Sequence, residues 1–205
     1  SYCIIHLGMS GCLKLVDKQL SRIKHDHVEF YFKSGVCLRF NDPRRFGAML
    51  WTEDNPEDHP RLCKLGVEPL HQSFNAELLY QMTRDKRCPI KALIMNSHCV
   101  VGVGNIYAAE SLFIAGISPV TGAHRLSLHR CEKLVKAIKT VLSQAINAGG
   151  TTLKDFRQSD GQPGYFKQEL LVYGRGGEPC TNCSRPIKQI KQQQRSTFYC
   201  THCQH

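Results

Sequence analysis

Four cysteines near the end of the chain have the spacing of a metal site. Cys180 and Cys183 form one Cys-x-x-Cys pair, Cys200 and Cys203 form a second, and 16 residues separate the two pairs. Each pair can turn two thiolates toward one ion, and the intervening segment can form a hairpin that returns the second pair to the first. The pattern predicts one structural zinc ion with four thiolate ligands, and iron also fits tetrathiolate geometry.

The remaining cysteines favour this metal site over two disulfides or a chance arrangement. The sequence contains 11 cysteines, an odd number, and seven of them lie singly in apolar or mixed segments: Cys3, Cys12, Cys37, Cys63, Cys88, Cys99 and Cys131. Scattered single thiols are typical of proteins in a reducing compartment. We therefore expect a cytoplasmic protein.

The charge of the chain favours a polyanionic partner. Its 205 residues include 27 Lys+Arg and 17 Asp+Glu, which gives a formal net charge of +10. Nucleic acid is the partner that this balance favours most. A hydrophobic content of 41% is sufficient for a folded core. The first apolar run, residues 2–5, stops at His6, so we expect neither a signal peptide nor a membrane-spanning helix.

Three segments carry residues that could contact such a polyanion. Residues 42–47 (DPRRFG) place two guanidinium groups beside an aromatic ring, which could contact base edges and wedge into a base step. Residues 102–105 (GVGN) precede a predicted helix, whose N-terminus could bind a phosphate. Residues 195–199 (RSTFY) present a cation between the cysteine pairs. An exposed charged turn, an interhelical turn and a solvated face are the ordinary alternatives.

Patterning along the chain predicts the elements that position these segments. Residues 1 to about 52 alternate like strands, with runs at 2–5, 28–32 and 36–40. Acidic residues, Asn and Pro in residues 53–60 predict a linker. A helix is predicted over residues 106–115, ending at Gly116. A longer one is predicted from an N-cap at Ser127 to about Ala148, with Gly149 and Gly150 as its stop.

Taken in order, these segments resemble formamidopyrimidine-DNA glycosylase. The resemblance rests on residues 6–11 (HLGMSG), 42–47 (DPRRFG), 101–108 (VGVGNIYA), 149–153 (GGTTL), 173–175 (YGR) and the four-cysteine module with residues 194–200 (QRSTFYC). Residues 161–166 (GQPGYF) and the four thiols indicate the branch of the family that acts on oxidised purines.

The resemblance implies an α+β multidomain fold. It predicts a partial N-terminal β-sandwich, a helix–two-turn–helix domain and a C-terminal four-cysteine zinc-finger β-hairpin, with DNA in the cleft between the sandwich and the other two. We expect residues 1–52 to be the remainder of the β-sandwich catalytic domain and residues 53–65 to be a linker. We expect the helical domain over residues 66–168, including a lesion-capping loop at 151–166, and the zinc finger over residues 171–205.

The resemblance also implies an activity in base excision repair. Such enzymes are DNA-formamidopyrimidine glycosylases and DNA-(apurinic or apyrimidinic site) lyases. They flip 8-oxoguanine or formamidopyrimidines out of duplex DNA, form a Schiff base with the sugar and cut the strand by β,δ-elimination. We expect a monomer in the bacterial cytosol, or associated with the nucleoid, that binds damaged double-stranded DNA and no membrane.

Roles for single residues follow from the same resemblance. Met9 fills the hole left by the flipped base, Arg44 reads the opposite cytosine and Phe46 wedges beside it. Asn105 and Arg195 grip the phosphates that flank the lesion, and Arg195 also serves catalytically in the elimination step. Further DNA contacts are expected from His6, His25, Lys86, Arg87, Lys154 and Tyr165.

One departure from the family pattern concerns the nucleophile. The family uses an N-terminal proline, followed by a glutamate and, further on, a lysine, and this chain starts at Ser1 after all three. We therefore expect an N-terminally truncated chain that binds zinc and DNA without excising bases, while the full-length protein is the enzyme. The alternatives are a catalytically inert protein that binds damaged DNA and a zinc-ribbon module for protein interactions.

Overall fold

The structure, a computed structural model of the chain, describes residues 1–148 and 170–205. The chain divides into two compact units. The first contains Ser1–Cys63, and the second contains Lys64–Asn147 together with the described residues from 170 onward. Among the described residues, no helix has both the length and the apolar character needed to cross a membrane.

The first unit contains five β-strands in two antiparallel sheets, which confirms the predicted N-terminal β domain. In one sheet β1 (Tyr2–His6) pairs with β5 (Ala48–Thr52). The other sheet has the order β2-β4-β3, and its strands are β2 (Cys12–Asp17), β3 (Asp26–Tyr31) and β4 (Val36–Asn41). A 3-10 helix, Pro56–Asp58, lies within the segment predicted as a linker.

A buried arginine fixes the connection between β2 and β3. Arg39 on β4 forms ion pairs with Asp26 at 3.2 Å and Glu29 at 2.7 Å. Its guanidinium also donates to the carbonyl oxygens of Leu20 and Ser21, at 2.7 and 3.0 Å. A buried guanidinium needs these acceptors, because its donors have lost water. The connection is therefore held against the sheet, because moving it away would leave the buried guanidinium of Arg39 without hydrogen-bond acceptors.

The second unit contains the helices and a short hairpin. Its helices are α1 (Ala76–Thr83), α2 (Ile90–Ile94), α3 (Asn105–Ile114) and α4 (Leu128–Asn147), with a 3-10 helix at Ala123–Arg125. The strands β6 (Lys188–Gln192) and β7 (Arg195–Tyr199) pair in antiparallel fashion, which confirms the predicted hairpin between the cysteine pairs.

The two predicted helices form close to their expected bounds for identifiable reasons. The hydroxyl oxygen of Ser127 accepts the backbone N–H of Arg130 at 3.3 Å, so Ser127 caps α4 as predicted. Gly116, with φ of +67°, follows the end of α3 in the left-handed conformation that favours glycine. The predicted stop of α4 at Gly149 and Gly150 lies outside the described residues.

The cores of the second unit lie on two sides of α3. One core packs α3 against α1, α2 and α4 and includes Leu79, Ile94, Leu112, Leu134 and Ile138. The other packs a different face of α3 against the hairpin and includes Ala109, Phe113, Val172, Ile187 and Phe198. Helix α3 therefore ties the helical part of this unit to the cysteine module.

A buried acid on α3 fixes the chain where it enters the cysteine module. The Glu110 carboxylate accepts three backbone N–H groups, from Leu171 at 2.8 Å, Val172 at 3.1 Å and Tyr173 at 2.8 Å. Three such donors replace the water that a buried carboxylate loses. The position of residues 171–173 is thus set by a helix more than 60 residues earlier in the chain.

Substitution of a core residue of α4 tests this packing. Ile138 is fully buried, and we expect Ile138→Ala to lower the free energy of unfolding by about 2–5 kcal/mol through lost burial and an unfilled cavity. Ile146, on the same helix, is 63% exposed, and we expect Ile146→Ala to stay within about 0.5 kcal/mol of the parent chain. Urea unfolding of both variants measures the difference. Equal losses would contradict the assignment of the buried face.

Candidate functional site

In the first unit, three predicted DNA-contacting residues lie together on the surface. Met9 is 70% exposed and Phe46 is 61% exposed. The Arg44 guanidinium donates to the Met9 sulfur at 3.0 Å, and its central carbon lies 5.0 Å from the centre of the Phe46 ring. We call Met9, Arg44 and Phe46 the loop cluster. It presents a thioether, a planar cation and an aromatic ring to solvent on two segments 35 residues apart in sequence.

A buried aspartate holds the two segments of the loop cluster together. The Asp42 carboxylate accepts the backbone N–H of Gly47 at 2.8 Å, the Ser10 hydroxyl at 2.9 Å and the backbone N–H of Arg44 at 3.3 Å. These hydrogen bonds, chiefly the one from Gly47, keep the pKa of Asp42 below its usual value. The carboxylate therefore stays charged and keeps residues 42–47 next to Ser10.

Gly8 allows the two segments to touch. It has φ of +65°, and a Cβ there would lie 2.7 Å from the backbone carbonyl carbon of Phe46. Such a distance is too short for any side chain, so glycine is required both by the conformation and by the neighbour. The Gly8 N–H donates to Nδ1 of His6 at 2.9 Å, which places the exposed His6 at the base of the same turn.

Two histidines at the start of β3 hold the other side of Asp42. His25 has φ of +75°, and its carbonyl oxygen accepts the Asp42 N–H at 3.0 Å. Nε2 of His27 lies 2.8 Å from the Asp42 carbonyl oxygen. His6 and His25, both predicted as DNA contacts, are thus bonded to the segments that carry the loop cluster.

In the second unit, the structure brings Asn105 next to Arg195. Asn105 is the first residue of α3, and its Nδ2 donates to the carbonyl oxygen of Ser196 at 3.1 Å, while the hydroxyl of Tyr173 lies at 3.5 Å. Arg195 precedes Ser196 on β7 and is exposed. The N-cap of α3 is Gly104, which has no side chain to satisfy the first backbone N–H groups of the helix. Asn105, at the N-terminus of α3, therefore contacts the residue that follows Arg195 on β7.

Lys91 is a buried cation that the sequence analysis missed. It is 3% exposed, and its Nζ donates to the Thr197 hydroxyl at 2.6 Å and to the Ser196 carbonyl oxygen at 3.3 Å. Desolvation, followed by the positive charge of Arg195, lowers the pKa of Lys91 to about 8. Lys91 and Arg195 also line a cavity of about 190 Å³. The available signal was a lysine inside the otherwise apolar helix α2.

The other predicted contacts are less closely connected to these groups. Lys86 and Arg87 are exposed and lie between α1 and α2. Lys154, Tyr165 and the predicted lesion-capping loop at 151–166 lie outside the described residues.

The four module cysteines form a cluster of the size expected for one zinc ion. All four sulfurs lie within 4.8 Å of one another. The Cys180 and Cys203 sulfurs are 3.9 Å apart, and those of Cys183 and Cys200 are 3.5 Å apart. These distances exceed a disulfide bond and agree with the edge of about 3.8 Å for a tetrahedron with zinc–sulfur bonds near 2.3 Å.

The chemistry of the cluster also fits a divalent cation. Desolvation, followed by the sulfurs of Cys183, Cys200 and Cys180, raises the pKa of Cys203 to about 12. A cation in the centre removes this penalty, because it pairs with the thiolates. The backbone N–H of Asn182 and that of Cys203 point at cluster sulfurs, at 3.4 Å from Cys180 and Cys200 respectively. The four cysteines are thus consistent with one structural zinc ion.

A buried glutamine joins the cysteine cluster to the end of α3. The Gln204 side-chain oxygen accepts the Cys200 N–H at 2.9 Å, and its amide group donates to the Ile117 carbonyl oxygen at 2.9 Å. The cysteine cluster is therefore connected to the helical part of the unit by hydrogen bonds as well as by apolar packing.

Loss of one ligand tests the metal site. We expect Cys200→Ser to abolish stoichiometric zinc binding and to unfold the β6–β7 hairpin, because small modules of this kind take their folding free energy from the metal. Zinc analysis and the NMR signals of residues 188–199 measure both effects. Cys63→Ser, at an exposed cysteine outside the cluster, is the matched control. A variant that keeps the hairpin without zinc would contradict the structural role of the ion.

Three family models match separate parts of the chain. The model of the formamidopyrimidine-DNA glycosylase N-terminal domain matches residues 1–49, and the model of its H2TH domain matches residues 65–157. The model of the zinc finger found in FPG and IleRS matches residues 177–205. The described residues of each match contain the β domain, the helices and the cysteine hairpin respectively.

Whole proteins match over nearly the full chain. Formamidopyrimidine-DNA glycosylase of Klebsiella pneumoniae subsp. pneumoniae is 56% identical over 203 residues, which cover 99% of this chain and 75% of that protein. The crystal structure of the MutM (Fpg) protein of Thermus thermophilus is 36% identical, with a TM-score of 0.87, and the match covers 98% of this chain and 75% of that one. A Lactococcus lactis Fpg mutant in complex with Fapy-dG-containing DNA is 32% identical, with a TM-score of 0.84 and coverage of 98% and 74%. The chain therefore belongs to the formamidopyrimidine-DNA glycosylase family.

Proposed function

We propose that this protein acts in the repair of oxidised purines in duplex DNA and that the chain reads and grips the damaged site. The observation that carries the proposal is the loop cluster, in which Met9, Arg44 and Phe46 are exposed on two segments that hydrogen bonds of Asp42 hold together. Family membership supports the same function, and a Lactococcus lactis relative has been crystallised in complex with Fapy-dG-containing DNA.

The loop cluster suits the gap that base flipping creates. Extrusion of a base leaves an apolar hole in the stack and an unpaired Watson–Crick edge on the opposite strand. In this proposal the Met9 thioether fills the hole, the Phe46 ring wedges into the base step, and the Arg44 guanidinium donates to the acceptors of the orphaned cytosine. His6 and His25 would contact the backbone beside the cluster.

The second unit supplies groups suited to phosphates. Nδ2 of Asn105 carries two hydrogens: one is donated to the Ser196 carbonyl oxygen at 3.1 Å and the other makes only a long bond of 3.5 Å to the Tyr173 hydroxyl, which a phosphate oxygen could replace. The N-terminus of α3 and the Arg195 guanidinium add donors and positive charge near the same point. We propose that these groups hold the phosphates that flank the lesion, with Lys86 and Arg87 as further contacts. Zinc, when bound, orders the hairpin that carries Arg195 and takes no part in the chemistry.

The proposed reaction is that of a bifunctional glycosylase and lyase. An amine attacks C1′ of the damaged nucleotide, the base leaves, and the resulting iminium allows β,δ-elimination of the strand. Arg195, beside the flanking phosphates, is proposed to assist the elimination. We expect the proline that the family uses as its nucleophile to lie outside residues 1–205, and we propose that a polypeptide of these residues alone performs the recognition without the covalent step.

Borohydride trapping tests whether residues 1–205 recognise the lesion without forming the covalent intermediate. We expect residues 1–205, loaded with zinc, to bind a duplex with 8-oxoguanine opposite cytosine more tightly than the undamaged duplex and to give no covalent adduct, because the proline amine is absent. Electrophoresis of borohydride-treated mixtures and a binding titration measure both. A relative with an N-terminal proline is the positive control. A trapped adduct would overturn the proposed inactivity, and a lack of preference for the lesion would overturn the proposed function.

Substitution of Arg44 tests the readout of the opposite base. We expect Arg44→Ala to reduce discrimination between cytosine and the other bases opposite the lesion by about 1–3 kcal/mol, because the donors to the cytosine edge are lost. Arg45→Ala is the control, because it removes the same charge from the neighbouring exposed side chain. It should weaken binding to all four duplexes by the same factor. Binding titrations with the four opposite bases measure the effect. An unchanged preference in Arg44→Ala would remove Arg44 from this role.

A further inference from the structure

Met9 is the most accessible methionine of the chain. The sequence contains four methionines, all within the described residues 1–148. Met9 is 70% exposed, whereas Met49, Met82 and Met95 are partly buried. Because an oxidant in solution must reach the sulfur, the Met9 thioether is the one that oxidants meet first.

The surroundings of the Met9 sulfur give its oxidation a specific consequence. The Arg44 guanidinium lies 3.0 Å from this sulfur and also over the Phe46 ring, so it is shared between two weak partners. A thioether sulfur is a weak acceptor, which leaves the guanidinium free to exchange it for a better one. An oxygen atom added to this sulfur would be such an acceptor, because a hydrogen bond from a cation to a polar oxygen is much stronger.

We propose that Met9 is a site of reversible oxidation by peroxides and that its sulfoxide captures Arg44. In the reaction a sulfur lone pair attacks one peroxide oxygen, the S–O bond forms and the O–O bond breaks. The sulfur loses two electrons, and the departing hydroxide takes the proton of the transferred oxygen to become water. The products are methionine sulfoxide and water, with hydrogen peroxide as the only co-reactant.

The sulfoxide changes both partners in the loop cluster. Met9 becomes polar and no longer suits an apolar gap, and Arg44 becomes engaged by the sulfoxide oxygen. The effect of these changes on DNA binding rests on the function proposed above, in which Met9 enters the base stack and Arg44 reads the opposite base. Oxidation therefore reduces both the affinity for lesion DNA and the preference for opposite cytosine, and methionine sulfoxide reductases restore them.

Peptide mapping tests the site of oxidation without reference to DNA. The four methionines fall in separate tryptic peptides, residues 1–14, 46–61, 65–84 and 92–125. The zinc-loaded chain is treated with hydrogen peroxide, quenched with catalase at intervals and digested. We expect sulfoxide to form in peptide 1–14 about five-fold faster than in the others. Equal rates in the four peptides would overturn the assignment of Met9.

Binding measurements on the same samples test the consequence. We expect the oxidised chain to bind a duplex with 8-oxoguanine opposite cytosine about ten-fold more weakly and to discriminate less among opposite bases. Treatment with both methionine sulfoxide reductases and the thiol that serves as their reductant should restore binding. The thiol reductant alone, without the reductases, should not. Recovery with the thiol reductant alone would assign the loss to cysteine oxidation and overturn the proposal. Zinc content is measured in every sample.

Variants separate Met9 from the other oxidisable groups, each compared with its own untreated sample. Met9→Leu keeps an apolar side chain, and we expect peroxide to leave its binding unchanged. Met9→Gln places a polar acceptor there permanently, so it should bind weakly before treatment and not weaken further. Met82→Leu is the matched control and should lose binding on treatment as the parent chain does. A loss in Met9→Leu as large as that of the parent would overturn the proposal.

The two proposals fail in different ways. If the untreated chain shows no preference for the damaged duplex, the proposed function is wrong, and the effect of Met9 oxidation on binding is rejected with it. The oxidation site itself is then still decided by the peptide rates. If the untreated chain prefers the lesion but peroxide leaves that preference intact despite sulfoxide at Met9, the capture of Arg44 is overturned and the proposed function is supported.

Discussion

A buried carboxylate must be surrounded by hydrogen-bond donors, and this constraint shapes the important loops of both units. Asp42 in the first unit and Glu110 in the second each collect backbone N–H groups from a segment that has no regular structure of its own. Each carboxylate thereby turns a loop into a rigid support. In the first unit the support carries Arg44 and Phe46, and in the second it carries Tyr173, which lies beside Asn105.

The position of the cysteine hairpin is fixed by several hydrogen bonds to the helical part of the second unit. Lys91 and Asn105 donate to the Ser196 carbonyl oxygen, and Gln204 accepts the Cys200 N–H. These contacts bind β7 and the cysteine cluster to α2, α3 and the loop after α3. A two-stranded hairpin is only marginally stable alone, so metal, core and hydrogen bonds together determine where Arg195 stands.

The sequence was informative where function depends on spacing along the chain. The Cys-x-x-Cys pairs, the glycines that flank α3 and the serine cap of α4 are local signals, and the structure agrees with each of them. It was uninformative where function depends on contacts between distant residues. The short helix α2 has too few residues for a periodic pattern, so the partnership of Lys91 with Thr197, 106 residues away, could not be anticipated. The bond between Arg44 and Met9 is of the same kind.

Gly8 has a consequence for anyone who wishes to transplant this recognition surface. A side chain at this position would collide with the backbone at Phe46, whatever its chemical nature. Residues 6–11 and 42–47 are thus a matched pair of parts, and neither keeps its shape when installed alone. A graft onto another scaffold must carry both segments with Asp42 between them, and libraries that diversify one segment must leave the glycine of the other untouched.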